Sequence, residues 1–105
     1  DEECSADVRK RVNRTRMIQR ERFEEDGIRT NSEMKEKQLE KYCKLSSESE
    51  AIMKMSFDSL GLSAHGRSRI LKVARTIADM SLEENILPEH ILEAVGYRNF
   101  SFAKR

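Results

Sequence analysis

The stretch Gly61-Leu62-Ser63-Ala64-His65-Gly66-Arg67-Ser68-Arg69-Ile70-Leu71-Lys72-Val73-Ala74-Arg75-Thr76-Ile77-Ala78-Asp79-Met80 decides the fold. Ile70, Leu71, Val73, Ala74, Ile77 and Ala78 recur at helical spacing and form one wide apolar face. Ser63 stands ahead of them as an N-cap whose hydroxyl can accept a bond from a free first-turn amide. This predicts a helix from Ala64 to Met80, the strongest core element in the chain.

Weaker elements flank it. Ser47 and Glu50 have the spacing of a reciprocal capping box, and Met53, Phe57 and Leu60 share one face, which predicts a helix over 47–60 with Gly61 as its left-handed stop. Met34 through Tyr42, with Leu39 and Cys43 four apart, reads as a shorter helix. Ser5 can cap a long first helix reaching Asp26 and ended by Gly27, with Val8, Val12, Thr15, Ile18 and Phe23 as its narrow apolar side. Pro88 suits the first turn of a last helix, in which Ile91, Leu92 and Val95 precede a stop at Gly96. The expected fold is all-α, a small bundle of five helices with residues 1–105 as a single domain.

Composition agrees. Charged and hydrophobic residues each make up 37% of the 105, which leaves material for only a thin core. Four glycines and one proline cannot supply the turns of a many-stranded sandwich or barrel. Cys4 and Cys43 form no C-x-x-C pair and read as free thiols of a reducing compartment. No 18-residue apolar run or secretory signal is present, so a cytoplasmic protein with no membrane partner is expected. The chain begins at Asp1 and not at methionine, which suggests a piece of a longer protein.

Self-contained catalysis is not expected. His65, His90, Cys4 and Cys43 are scattered, whereas a zinc site draws close-spaced ligand pairs from one segment. No G-x-S-x-G turn presents a nucleophile. The expectation is therefore no catalytic and no metal-ligating residue.

Two cationic features remain. The net charge of +1 gives no global pull toward nucleic acid, so basic function must be local. Arg9, Lys10, Arg11, Arg14, Arg16, Arg20 and Arg22 crowd the first helix with Glu21 as the one interrupting acid. Such a helix can lie along phosphates, or it can be a solvated face paired with Glu24, Glu25 and Asp26. Arg9, Lys10, Arg14, Arg16 and Arg20 are its candidates for contact with nucleic acid or a neighbouring subunit. His65, Arg67 and Arg69 sit in the first two turns of the Ala64–Met80 helix, where cations oppose the helix dipole. An anionic phosphate partner accounts for them, as does a neighbouring acid or plain solvation.

Gly61-Leu62-Ser63-Ala64 followed by Arg69-Ile70-Leu71-Lys72-Val73-Ala74-Arg75-Thr76-Ile77-Ala78-Asp79-Met80 closely resembles the C-terminal domain of magnesium-chelatase-related AAA+ ATPases of the ComM/YifB type. Val8-Arg9-Lys10-Arg11-Val12, Ile18-Gln19-Arg20-Glu21-Arg22-Phe23, Tyr42-Cys43-Lys44-Leu45, Pro88-Glu89-His90-Ile91-Leu92-Glu93-Ala94 and Gly96-Tyr97-Arg98 follow the family's order, so the resemblance covers residues 5–98.

The resemblance implies a lid that follows an ATPase core, closes over ATP and magnesium in the parent protein, and binds neither alone. It implies as partners that core, neighbouring subunits of a hexamer, and DNA moved by a branch-migration motor of DNA uptake. A sensor arginine early in the lid helix would touch the nucleotide phosphates. Here His65 stands at the family's arginine position, so either Arg67 or Arg69 would take the role from the next turn, with Arg69 favoured, or the sensor is weakened in this protein. The chain contains no G-x-x-x-x-G-K-[ST] and is not expected to be an enzyme by itself. The alternatives are a stand-alone helical module binding nucleic acid or protein, and the lid of a metal-chelatase motor.

Overall fold

The structure is a computed structural model that describes residues 5–61 and 63–103. Cys4 and Leu62, and the side chains of Leu60 and Arg98, lie outside the described residues. Five α-helices follow one another among them: α1 (Ser5–Arg22), α2 (Glu36–Tyr42), α3 (Ser47–Leu60), α4 (Ala64–Met80) and α5 (Pro88–Ala103). The all-α reading holds. The nearest approach to strand pairing is one isolated parallel bridge between Leu45 and Ile86.

α4 is the hub, packing against α1, α2 and α5, while α5 also meets α3. Ile70, Leu71, Ala74 and Ala78 of α4 are buried with Met53, Ile91, Ala94, Met34 and Phe23. Removing such side chains from water stabilises the fold by about 1.5–3 kcal/mol each for the larger ones. Val73 and Leu92, assigned to the core by periodicity, are 39% and 53% exposed. The buried arc of α4 is shared with Arg75 and Asp79 instead.

Helix α4 occupies the predicted span, and Ser63 Oγ accepts from the Gly66 amide at 3.2 Å. Its far end closes with a 2.8 Å bond from the Glu83 amide to the Ala78 carbonyl and a 3.0 Å bond from the Leu82 amide to the Asp79 carbonyl. This double closure needs a left-handed residue, and Leu82 takes that place with φ of 60°.

α3 keeps its predicted span of 47–60 with Gly61 left-handed at φ of 62°, and α5 begins at Pro88 as expected, while other features differ for physical reasons. α3 is capped by Ser46, whose Oγ accepts from the Ser49 amide, so the Ser47–Glu50 capping box does not form. α1 stops at Arg22, four residues before Asp26; the chain then turns through 23–27 to Gly27, which has φ of 73°. Asn31–Glu33 form a 3₁₀ turn ahead of Met34, and α2 starts only at Glu36. α5 runs through Gly96 rather than stopping there.

α1 has the least core. Val8 is 45% exposed; of the predicted stripe Thr15 is buried within the helix and Phe23 just past its end, and Gln19, outside the stripe, is buried as well. The Thr15 hydroxyl donates to the Arg11 carbonyl, and Gln19 Oε1 accepts from the Asn31 amide. Among the described residues no helix is long and apolar enough to cross a membrane.

Candidate functional site

The amino end of α4 presents an exposed histidine, an exposed arginine and a restrained arginine. Ser63 satisfies the Gly66 amide but leaves the helix start facing outward, with His65 and Arg69 exposed. Neither side chain has a partner among the described residues. Arg67 donates from Nη2 to Glu50 Oε1 of α3 at 2.8 Å. The acid that sequence reasoning left unspecified is therefore Glu50, and the pair keeps Arg67 along the α3–α4 seam. Of the three, Arg69 is the arginine whose guanidinium is open to a ligand.

This site suits one edge of a phosphate and not a magnesium ion. A permanently charged planar fork and a helix amino terminus both favour an oxyanion. Magnesium needs hard oxygen ligands in octahedral array, and the first turn of α4 carries no acid.

The basic candidates of α1 divide. Arg9, Lys10, Arg14, Arg16 and Arg20 are exposed. Arg22 is not part of a solvated face: its guanidinium turns inward and grips Asp79 of α4 through Nη1 to Oδ2 at 2.8 Å and Nη2 to Oδ1 at 2.6 Å. The expected pairing of this residue with Glu24, Glu25 or Asp26 is replaced by a partner on another helix.

Asp79 is the centre of a buried polar cluster. Arg75, one turn earlier on α4, donates from Nε to Asp79 Oδ1 at 3.1 Å, and Asn31 Nδ2 donates to Oδ2 at 2.9 Å. Asn31 also accepts from Arg22 Nη1 at 3.0 Å and donates to the Thr76 hydroxyl at 3.0 Å. Arg75 also donates to the Glu83 and Glu84 carbonyls, at 2.8 and 2.9 Å, and to the Tyr42 carbonyl at 3.5 Å. Burial pulls the Arg75 guanidinium below its ordinary pKa, and the adjacent Asp79 charge opposes that shift. Cys43 is a buried free thiol beside the cluster, pushed up to about 11 by burial against the opposing charges of Arg75 and Arg22.

Sequence reasoning missed this cluster. The sequence carried little signal for it: at 100° per residue Arg75 and Asp79 lie at and beyond the rim of the apolar face of α4, past Leu71, where charges ordinarily meet solvent. An open cleft of about 500 Å³ borders it, lined by Lys41, Tyr42, Lys44 and Leu82 among others. The cluster sits about 15 Å along α4 from Arg69, so it is separate from the phosphate candidates. His90 has a local duty: its Nδ1 accepts from the Leu87 amide at 2.9 Å and caps α5.

Comparison with known proteins places the chain in a family. The family model for the magnesium chelatase, subunit ChlI C-terminal region matches residues 2–98. The chain is 41% identical over 96 residues to the competence protein ComM of Haemophilus influenzae, and 38% identical over 96 residues to the protein YifB of Salmonella typhimurium. The same figures as for the latter hold for YifB of Escherichia coli. Each match covers 91% of this chain and 18% of the relative, so the chain spans less than a fifth of the length of these relatives. With a family model covering nearly all of it and the expected all-α architecture, the chain belongs to the magnesium chelatase, subunit ChlI C-terminal family.

Proposed function

We propose that this chain is the nucleotide-responsive lid of a cytoplasmic AAA+ ATPase, closing over ATP and magnesium held by an ATPase core and coupling hydrolysis to the remodelling of DNA. The observation that carries this reading is the open amino end of α4, with Arg69 exposed and without a partner among the described residues while Arg67 is held by Glu50. Arg69 takes the phosphate-sensing role, His65 stands beside it as a weaker donor, and Arg67 is a reserve that requires release from Glu50. A guanidinium there favours the closed position only when phosphate is in reach, so lid position follows nucleotide state. The magnesium ligands and the rest of the phosphate cradle come from the core and from neighbouring subunits of a hexamer. The 41% identity to a protein named for competence favours a DNA motor over a metal-chelatase motor.

The test is ATP turnover by the full-length protein. Arg69→Ala should lower the rate about tenfold, equivalent to roughly 1.4 kcal/mol of lost transition-state stabilisation. An unchanged rate removes Arg69 from the site. His65→Arg should preserve or raise the response, since it restores a charged fork beside the helix start.

A further inference from the structure

We propose that α1 is a duplex-DNA-binding helix that lies in the major groove, with its cations straddling the two phosphate backbones. The chain as a whole has 20 cations and 19 acids, yet α1 holds seven of the cations and only two of the acids, Asp7 and Glu21. The remaining residues are therefore net negative, and the positive charge of this protein is concentrated on one helix.

Two of those seven have other engagements. Arg22 is committed to Asp79, and Arg11 faces the groove shared by α1, α4 and α5. Arg9, Lys10, Arg14, Arg16 and Arg20 are exposed and without partners among the described residues. At 100° per residue, Arg9, Arg16 and Arg20 fall within about 40° of arc and are spaced about 10 and 6 Å along the axis. Lys10 and Arg14 form a second row about 100° or more around the helix. Asn13 and Met17, both exposed, occupy the arc between the rows. The buried residues Thr15 and Gln19 lie on the opposite side, so the two rows and the arc between them face away from the body.

This arrangement matches a groove about 12 Å wide that admits one α-helix. Cations on both flanks reach phosphates, which position the helix, and the amide of Asn13 is placed toward base edges. Four of the five cations are arginine, whose fork takes phosphate oxygens in pairs. Residues 5–10 of α1 are all exposed, so a groove can approach that end of the helix from the side away from the body.

The surface deepens the DNA part of the proposed function but is tested without nucleotide, so its failure leaves the Arg69 contact standing, and the reverse. The test is fluorescence anisotropy of the 105-residue chain with a labelled 20-base-pair duplex and the matching single strand, across a potassium chloride series. The duplex should bind more tightly than the single strand. Combining Arg9→Glu, Arg16→Glu and Arg20→Glu should weaken duplex binding at least about tenfold and flatten the salt slope by about 2 to 3. Lys35→Glu, Lys37→Glu and Lys54→Glu together, an equal change of charge on α2 and α3 and their approaches, should have little effect; circular dichroism checks that both variants stay helical. Equal losses in the two triple variants, equal binding of single strand and duplex, or binding to phosphatidylserine vesicles but not to duplex would each overturn the proposal.

Discussion

Arg22 and Asp79, 57 residues apart in the chain, meet end-on through two bonds of 2.6 and 2.8 Å, with the Asp79 side chain only 1% exposed. The geometry is the paired fork that makes arginine–carboxylate contacts directional. It fixes the end of α1, which has little apolar surface of its own, against the hub helix.

Removing the carboxylate should cost more than removing either cation. Asp79→Ala leaves two largely buried guanidinium groups facing each other, a loss of about 3–5 kcal/mol. Arg22→Met leaves Asp79 with Arg75 and Asn31 and should cost clearly less. Urea denaturation of the two variants gives the order, and a smaller loss for Asp79→Ala would refute the central role of the carboxylate.

Stability should fall on the alkaline side in a way that depends on Cys43. Burial raises the thiol's folded-state pKa from 9.0 to about 11, so the fold favours the neutral thiol. That contribution is complete below the unfolded-state value and is lost as pH rises through about 9 to about 11, on the order of 2 kcal/mol. Cys43→Ala should show a shallower alkaline limb in denaturation midpoints. At pH 8 the wild-type thiol should resist iodoacetamide until the chain is unfolded.

The helix caps can be told apart by alanine substitution. Ser46→Ala and Ser63→Ala each remove an acceptor for a first-turn amide and should cost about 1 kcal/mol. Ser47→Ala removes no cap bond and should be close to neutral. A Ser47→Ala loss equal to that of Ser46→Ala would mean that α3 starts one residue later than described.

Two glycine changes should move thermal stability in the favourable direction. An added Cβ at Gly96 meets nothing within 4 Å, and the residue lies inside α5, so Gly96→Ala should gain about 0.5–1 kcal/mol. Leu82 occupies a left-handed position that costs a non-glycine residue about 1–2 kcal/mol, and it is 53% exposed. Leu82→Gly should raise the melting temperature, whereas Gly61→Ala, at φ of 62°, should lower it. Differential scanning calorimetry decides each sign.

How much was legible follows from where local and tertiary forces agree. α4 was read to the residue because the Ser63 cap and the apolar period point to the same span. Gly96 misled because glycine is a weak stop when the residues beyond it continue the helix, and Ser47 misled because two adjacent serines compete for one cap. The exposed Arg69, the neighbouring His65 and the cations of α1 were visible in the sequence pattern. The bond of Arg67 to Glu50 and the Arg22–Asp79 pair were not, since nothing within one helix says which distant acid its arginine will meet. Arg75 and Asp79 follow Leu71 at and beyond the rim of the apolar face, where periodicity alone assigns charges to solvent.

Arg75 holds the connection between α4 and α5 by its main-chain oxygens at Glu83 and Glu84, and takes nothing from their side chains. Such a grip is indifferent to spelling but sensitive to length. The identities at 83 and 84 are free to drift among related sequences, while inserting or deleting a single residue there would move both oxygens off the guanidinium and leave two of its buried donors without these acceptors.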